Sequence, residues 1–339
     1  MKRSILYLAF FFLSLAACKK NDGTLTFLSG TLTIDSTPEV CLYHAPGEVF
    51  FFRPGGLQAS DGTPVAYYFT DPLSGTKDTI MTAAHPGTAY RYEVPDVLKT
   101  LKINCVGFAD GSSKYYTTSA SCTFTVVDST LNSGSLRDFP AYPEDVEETF
   151  FGTSYATARI GGRCWMRQNL AHVTATSGIP YEASPVMRKV FGGYYTWREA
   201  QRACPDGWRL PSEEDWMDLA HAAGVPEPRA FEPFPSGAGA LMGQATFNGT
   251  RLWDFYREVS ITDASHFSAL PVGYAVLVED AAPVFADMHG YAAFWTADEQ
   301  DGQGVYRYLT GRSDVVHVAL ASKDGLALSV RCVRDVEMP

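Results

Sequence analysis

One stretch constrains this chain more than any other: Cys204-Pro205-Asp206-Gly207-Trp208-Arg209-Leu210-Pro211-Ser212-Glu213-Glu214-Asp215-Trp216. It joins two helix signals across a stiff turn. Upstream, Thr196-Trp197-Arg198-Glu199 has the capping-box pattern: a hydroxyl that accepts from the backbone three residues on, and a carboxylate that reaches back. A short helix should follow through Ala200 and Ala203. Pro205 stops it, and Asp206-Gly207 turns the chain. Ser212 then caps a second helix, whose first turn carries Glu213, Glu214 and Asp215, where the helix dipole favours negative charge. Trp216, Leu219, Ala220 and Ala223 recur at helical spacing and give that helix one apolar face. The dipole accounts for the three carboxylates, ahead of an acid pair or a cation site.

Around this stretch the chain reads as strands and turns. It has 29 Gly and 20 Pro, a composition of sheets rather than helical bundles. Its 339 residues have room for two domains. Between Thr24 and Asp128 the segments alternate: Leu101, Ile103 and Cys105 share one face, as do Cys122, Phe124 and Val126. Short aromatic runs at Val49–Phe52 and Val65–Phe69 are separated by turn signals such as Pro54-Gly55-Gly56 and Asp61-Gly62. Six or seven short strands predict an antiparallel β-sandwich of the immunoglobulin or PKD kind. All six Trp lie beyond this region, so the core Trp usual in immunoglobulin domains is missing. Nothing here has site chemistry, and the region reads as a spacer rather than a binding module.

Residues 129–148 are small, polar and then acidic, with Pro140 and Pro143, a linker composition. Residues 149–336 form the second predicted domain. A hairpin turns at Gly161-Gly162, the two capped helices follow, and a Gly- and Pro-rich stretch runs from Gly224 to Ser265 with little periodicity. A loop that long is usually functional. Strands then close the chain, giving an α+β domain with two helices against a small antiparallel sheet.

The chain opens as a targeting segment, residues 1–17. Lys2 and Arg3 precede an apolar run from Ile5 to Ala17, too short to span a bilayer comfortably. It ends in Leu15-Ala16-Ala17-Cys18, which resembles the bacterial lipobox. That resemblance implies lipidation of Cys18, a membrane anchored through its acyl chains and an outer-membrane envelope location. Lys19 and Lys20 beside Asp22 leave surface display open. The charge of -11 becomes -13 once Lys2 and Arg3 are removed, and no basic stripe offsets it, which argues against a nucleic-acid partner.

The central stretch carries a resemblance of its own. Cys-Pro-x-Gly-Trp-x-Leu-Pro-Ser-x-x-Asp-Trp is similar to the signature of the FISUMP family, the major paralogous domain of bacterial envelope proteins, whose fold resembles C-type lectins. Further family segments occur in order: Ile160 to Leu170, Phe267 to Tyr274, Phe294 to Ala297 and Ser329 to Asp335. The resemblance covers roughly the C-terminal half. It implies a C-type-lectin-like domain in which 224–265 is the long loop. It also implies a disulfide from Cys204 to Cys332, tying the first helix to the last strand. Closing a loop of that length stabilises by about 4 to 5 kcal/mol in the chain-entropy model.

Without Cys18, six Cys remain: 41, 105, 122, 164, 204 and 332. In the first domain Cys41 to Cys105 has the spacing of an immunoglobulin bridge, and Cys105 to Cys122 competes. Either choice leaves Cys164 with one first-domain Cys, or two free thiols.

Hydrolase, zinc-protease, nucleotide-binding and dinucleotide-binding motifs are absent from the sequence. The seven His are scattered singly, and His266 stands where the family often has Gly. The calcium motifs of sugar-binding C-type lectins are absent, and the acidic pairs Glu279-Asp280 and Asp298-Glu299 read as solvated loops. No cofactor, metal or catalytic residue is expected. Trp208, Trp216 and Trp295 read as core. Trp253, Phe255 and Tyr256, in the long loop, are the candidates for an exposed ligand-binding surface. The expectation is a lipid-anchored binding or adhesion module with a glycan or protein ligand and no enzymatic activity. The alternative is a structural subunit of a surface appendage or envelope assembly.

Overall fold

A computed structural model of the chain describes residues 27–81, 87–109, 117–127, 146–181, 185–247, 250–254 and 257–336. The molecule is mostly β. The first half carries β1 Leu28–Thr37, β2 Tyr43–His44, β3 Val49–Ala59, β4 Val65–Thr70, β5 Lys77–Met81, β6 Tyr90–Glu93, β7 Thr100–Ala109 and β8 Thr118–Val126. The second half opens with β9 Val146–Phe150, β10 Thr153–Ile160, β11 Arg163–Met166, β12 Ile179–Pro180, α1 Pro185–Phe191, β13 Gly193–Tyr195, α2 Trp197–Ala200 and α3 Glu213–Ala222. It continues with α4 Ala238–Leu241, β14 Thr246–Phe247, β15 Thr250–Arg251, β16 Tyr274–Val276, β17 Val284–Ala286, β18 Tyr291–Gln300, β19 Gln303–Thr310, β20 Ser313–Ala321, β21 Leu326–Ser329 and β22 Val333–Asp335.

Two sheets, ordered β1-β3-β6 and β2-β8-β7-β4-β5, share one apolar core in the first half. Strict alternation builds it: Phe50 and Phe52 of β3, and Leu101, Ile103 and Cys105 of β7, point inward from strands whose other residues face out. Phe52, Phe69 and Tyr90 stack through this core, with Phe69 and Tyr90 4.7 Å apart.

The predicted Cys41–Cys105 bridge is not formed, and both thiols are free. Cys41 lies in the turn before β2, where its Sγ donates to the Tyr43 carbonyl at 3.1 Å, while Cys105 is fully buried inside β7. The competing bridge fails on register: Cys105 faces Ala120 and Cys122 faces Ile103, so the two thiols are diagonal rather than opposed. Spacing suggests the first bridge and a hairpin the second, and neither fixes which thiol faces which.

In the second half a four-stranded sheet, β22-β11-β10-β9, adjoins an eight-stranded one whose main path is β12-β13-β21-β18-β19-β20, with β16 and β17 attached through β21. Residues 146–148 belong to β9, not to a linker; Glu148 pairs with Arg334, and the rest of the predicted linker lies outside the described residues. Both predicted caps are present. Thr196 and Ser212 accept from Glu199 and Asp215 backbone N–H groups, and those carboxylates accept in return. Cys204 is bonded to Cys332, with Cα atoms 5.8 Å apart across 128 residues of sequence.

The two halves touch. Tyr43 and Val127 enter an apolar cluster with Met187, Phe191 and Leu252 of the second half. His289 Nδ1 lies 2.8 Å from the Leu252 carbonyl, which only accepts, so this nitrogen carries the proton. Nε2 then accepts from the Tyr43 hydroxyl at 2.8 Å.

Candidate functional site

Among the described residues of the long loop Phe231 is exposed, but most apolar side chains turn inward. Val225, Phe234, Leu241 and Met242 are buried against Trp165 and Trp216 of the core. Trp253 is 3% exposed, and its indole N–H donates to the Ala269 carbonyl at 3.0 Å. A structureless stretch of that length has too many backbone polar groups to stay open, so α4 and the β14–β15 hairpin organise it. Phe255, Tyr256 and Cys18 lie outside the described residues.

The family-motif polar residues are also internal. Glu213 and Asp215 are buried, and the helix dipole is only part of their role. Glu213 grips the fully buried Arg307, whose Nε donates to Oε1 at 2.9 Å and whose plane lies 3.9 Å over the Phe234 ring. Asp215 accepts from Arg163 Nε at 2.8 Å and from Arg209. Burial alone would raise its pKa, but these bonds and those from Ser212 hold the carboxyl well below the usual range.

Arg331 is buried among neutral acceptors, including Asn169 Oδ1 at 2.7 Å and the Met166 carbonyl, and burial pushes it down to about 9. Arg167 donates to Ser268 Oγ at 2.6 Å, and burial raises the nearby Asp263 carboxyl despite its bonds from Ser268. His266 has φ 62°, a left-handed conformation in which glycine is unstrained, which accounts for the glycine of the family pattern. Trp208, Trp216 and Trp295 are core, as expected. Of the acidic pairs, Asp298 accepts from the Glu213 N–H at 2.7 Å and Glu299 pairs with Lys323. Among the described residues no group of three or more His, Cys, Asp or Glu is placed to hold a metal ion.

The surface that stands out lies on the eight-stranded sheet. β18 to β20 send Ala292, Phe294, Leu309 and Val316 into the core around α3. Their alternate residues form the other face, where Tyr291, Tyr308 and His317 are half-buried. The register sets Ala293 opposite Tyr308 and Tyr308 opposite His317. The rings stack across the strands, Tyr291 on Tyr308 at 4.9 Å and Tyr308 on His317 at 4.7 Å. Tyr306 flanks the row, and Tyr274 of β16 meets Tyr291 edge-on at 5.4 Å. Burial raises the pKa of Tyr274, Tyr291 and Tyr306 and lowers that of His317.

From Tyr274 the surface runs on to Val276, Val278 and Val284, which are 37%, 53% and 56% exposed. Gly273 allows β16 to reach this position: its φ is 67°, and a Cβ there would lie 2.0 Å from the Ala286 carbonyl oxygen. Upright phenols packed side by side form a stiff row with little rotamer entropy left to lose, continuous with exposed aliphatic surface. Such a surface can bind; it holds no paired nucleophile and base. Sequence reasoning missed it, although Gly304-Val305-Tyr306-Arg307-Tyr308-Leu309 alternates in a way that puts both tyrosines on one face.

The family model described as the Fibrobacter succinogenes major domain matches residues 158–334, just over half of the chain, and the chain belongs to that family. No curated protein and no solved structure matches it.

Proposed function

We propose that this member of the Fibrobacter succinogenes major domain family is a lipid-anchored binding module of the cell envelope, without catalytic activity. In this reading Cys18 carries the lipid at the outer membrane, the first half is an immunoglobulin- or PKD-like spacer, and the second is a C-type-lectin-like domain that holds an extracellular glycan or protein. The observation that carries the reading is the half-buried row of Tyr274, Tyr291, Tyr308 and His317 with its exposed valines. Contiguous exposed apolar surface of this kind marks interaction sites, and tyrosine is enriched where binding energy concentrates. The valines favour a protein ligand over a glycan.

The test is a screen of the full chain, in detergent, against extracellular proteins and glycans, with calcium and with chelator. A ligand lost on Tyr308→Ala or Val284→Asp, with near-ultraviolet circular dichroism unchanged, supports the reading. A ligand indifferent to both substitutions sinks it.

A second reading, a subunit of an envelope assembly, draws on a different place. β1 is the edge of its sheet, and β8 is paired by β2 only at Thr125 and Val126. Between these two edges lies a groove of about 860 Å³, with Leu32, Ile34, Phe52 and Cys122 in its walls. Free strand edges of this kind accept a strand from another chain. Concentration-dependent polymers that resist dilution, blocked by Ile34→Lys, would favour this reading over the first.

A further inference from the structure

A cleft on the long-loop side of the second half is set apart by its charge. Several arginines of this half are matched by carboxylates: Arg307 with Glu213, Arg209 and Arg163 with Asp215, Arg334 with Glu148. Arg251 and Arg257 are exposed on the cleft, and among the described residues neither side chain has an ion-pair or hydrogen-bond partner. In a chain with 38 acidic and 27 basic residues, carboxylate partners are plentiful, so two unmatched guanidiniums on one cavity are unexpected.

The cavity has about 560 Å³, within the range of small-ligand sites. A second cavity of about 170 Å³ adjoins it, and both share Arg251, Trp253 and Ile261. Trp253 is fixed by its bond to Ala269, so the apolar wall is preformed. Asp254 stands on the same rim and keeps the site from being uniformly basic.

We propose that this cleft binds a sugar acid, a compact polyhydroxylated ring bearing one carboxylate. Each part of the cavity has a counterpart in that chemistry. The guanidiniums of Arg251 and Arg257 take the carboxylate, a pairing that suits the planar fork of arginine. Asp254 accepts from ring hydroxyls. Ile261, half-buried above the buried Trp253, covers the C–H face of the ring. An inorganic anion would use the arginines and leave the apolar wall and Asp254 idle; a neutral sugar would leave two guanidiniums idle. The site is separate from the tyrosine row, so a sugar-acid ligand lost with the arginines and indifferent to Tyr308→Ala and Val284→Asp is assigned to this cleft and is not counted in the test of the proposed function.

The experiment is calorimetric titration of the full chain in detergent with glucuronate, glucose and sulfate. Glucuronate should bind at least tenfold more tightly than glucose or sulfate, and its affinity should fall as salt is raised. The double variant R251Q/R257Q should weaken glucuronate tenfold or more, to the level of glucose, and Asp254→Asn should weaken both sugars by a similar factor. Both arginines are exposed, so the fold is expected to survive; an unchanged thermal midpoint checks this, and the single variants R251K and R257K serve if it does not. Equal affinity for glucose and glucuronate, sulfate binding as tightly as glucuronate, no binding of any probe, or indifference to the arginine substitutions would each overturn the assignment.

Discussion

Between the two sheets of the first half the buried side chains are Phe, Tyr, Leu, Ile, Val and Cys105, and His44 is the sole buried polar residue among those described there. Around α3 the core contains Glu213, Asp215, Arg307, Arg331, Arg167, Asn169 and Asp263, all fully or almost fully buried. The first core is specified by shape: inward rings stack on one another, and any residue of similar volume and apolarity keeps much of the stability. The second is specified by pairing, because a buried charge tolerates only the partner placed opposite it. A large set of recognisable motifs therefore belongs to the second half, and the first has none. Motif content here measures how demanding the interior is, not how active the surface is.

Four perturbations separate these two modes of specification. Reduction of Cys204–Cys332, or the variant Cys332→Ser, should cost the second half about 5 kcal/mol on the chain-entropy model for its loop length. Native-state hydrogen exchange should show the loss in β18 and β19 and leave β7 unchanged; equal loss in both halves would mean that they fold as one unit.

Next comes Arg307→Ala, which leaves Glu213 buried without its cation and should cost about 3–5 kcal/mol in denaturant unfolding. The apolar pair Arg307→Met with Glu213→Leu should recover most of that loss, and failure to recover would show that the ion pair holds more than its own charge. In the first half Phe69→Ala should cost about 3–4 kcal/mol through the cavity it leaves, and Phe69→Leu much less, since no partner is orphaned.

The smallest effect is on pH. The Asp215 carboxyl is depressed in the folded state, so its contribution is present above the unfolded carboxylate pKa of about 4 and is lost as pH falls below it. Denaturation midpoints followed from pH 7 to pH 3 should fall less steeply for Asp215→Asn than for the parent chain, while exchange in β7 should show no such slope.

Local rules were legible in the sequence wherever their partners were also local. The caps of α2 and α3 need only residues three apart, and both are present as read. The β10–β11 hairpin around Gly161-Gly162 needs one turn. The strands of the first half follow from alternation. What stayed hidden depends on distant partners. Asp215 looks like a helix-end charge until Arg163, 52 residues away, is seen on it. Arg307 sits between Val305 and Leu309 on an inward face, which demands a buried carboxylate without saying which one. Trp253 reads as a surface residue because its loop lacks periodicity, yet aperiodic chain can still deliver an anchor to the core. The Cys41–Cys105 pairing rested on spacing alone, and spacing says nothing about which way a thiol points.

The bond between Cys204 and Cys332 has a topological consequence. It closes the intervening chain into a covalent ring, and the tyrosine row, the valine-tipped hairpin and the Arg251 cleft all lie on that ring. A single proteolytic cut anywhere within it opens the ring without releasing a fragment, so the severed protein remains one molecule and migrates as such until it is reduced. Two cuts are needed to shed any part of either surface. The ring thus makes a first cut between Cys204 and Cys332 a silent one.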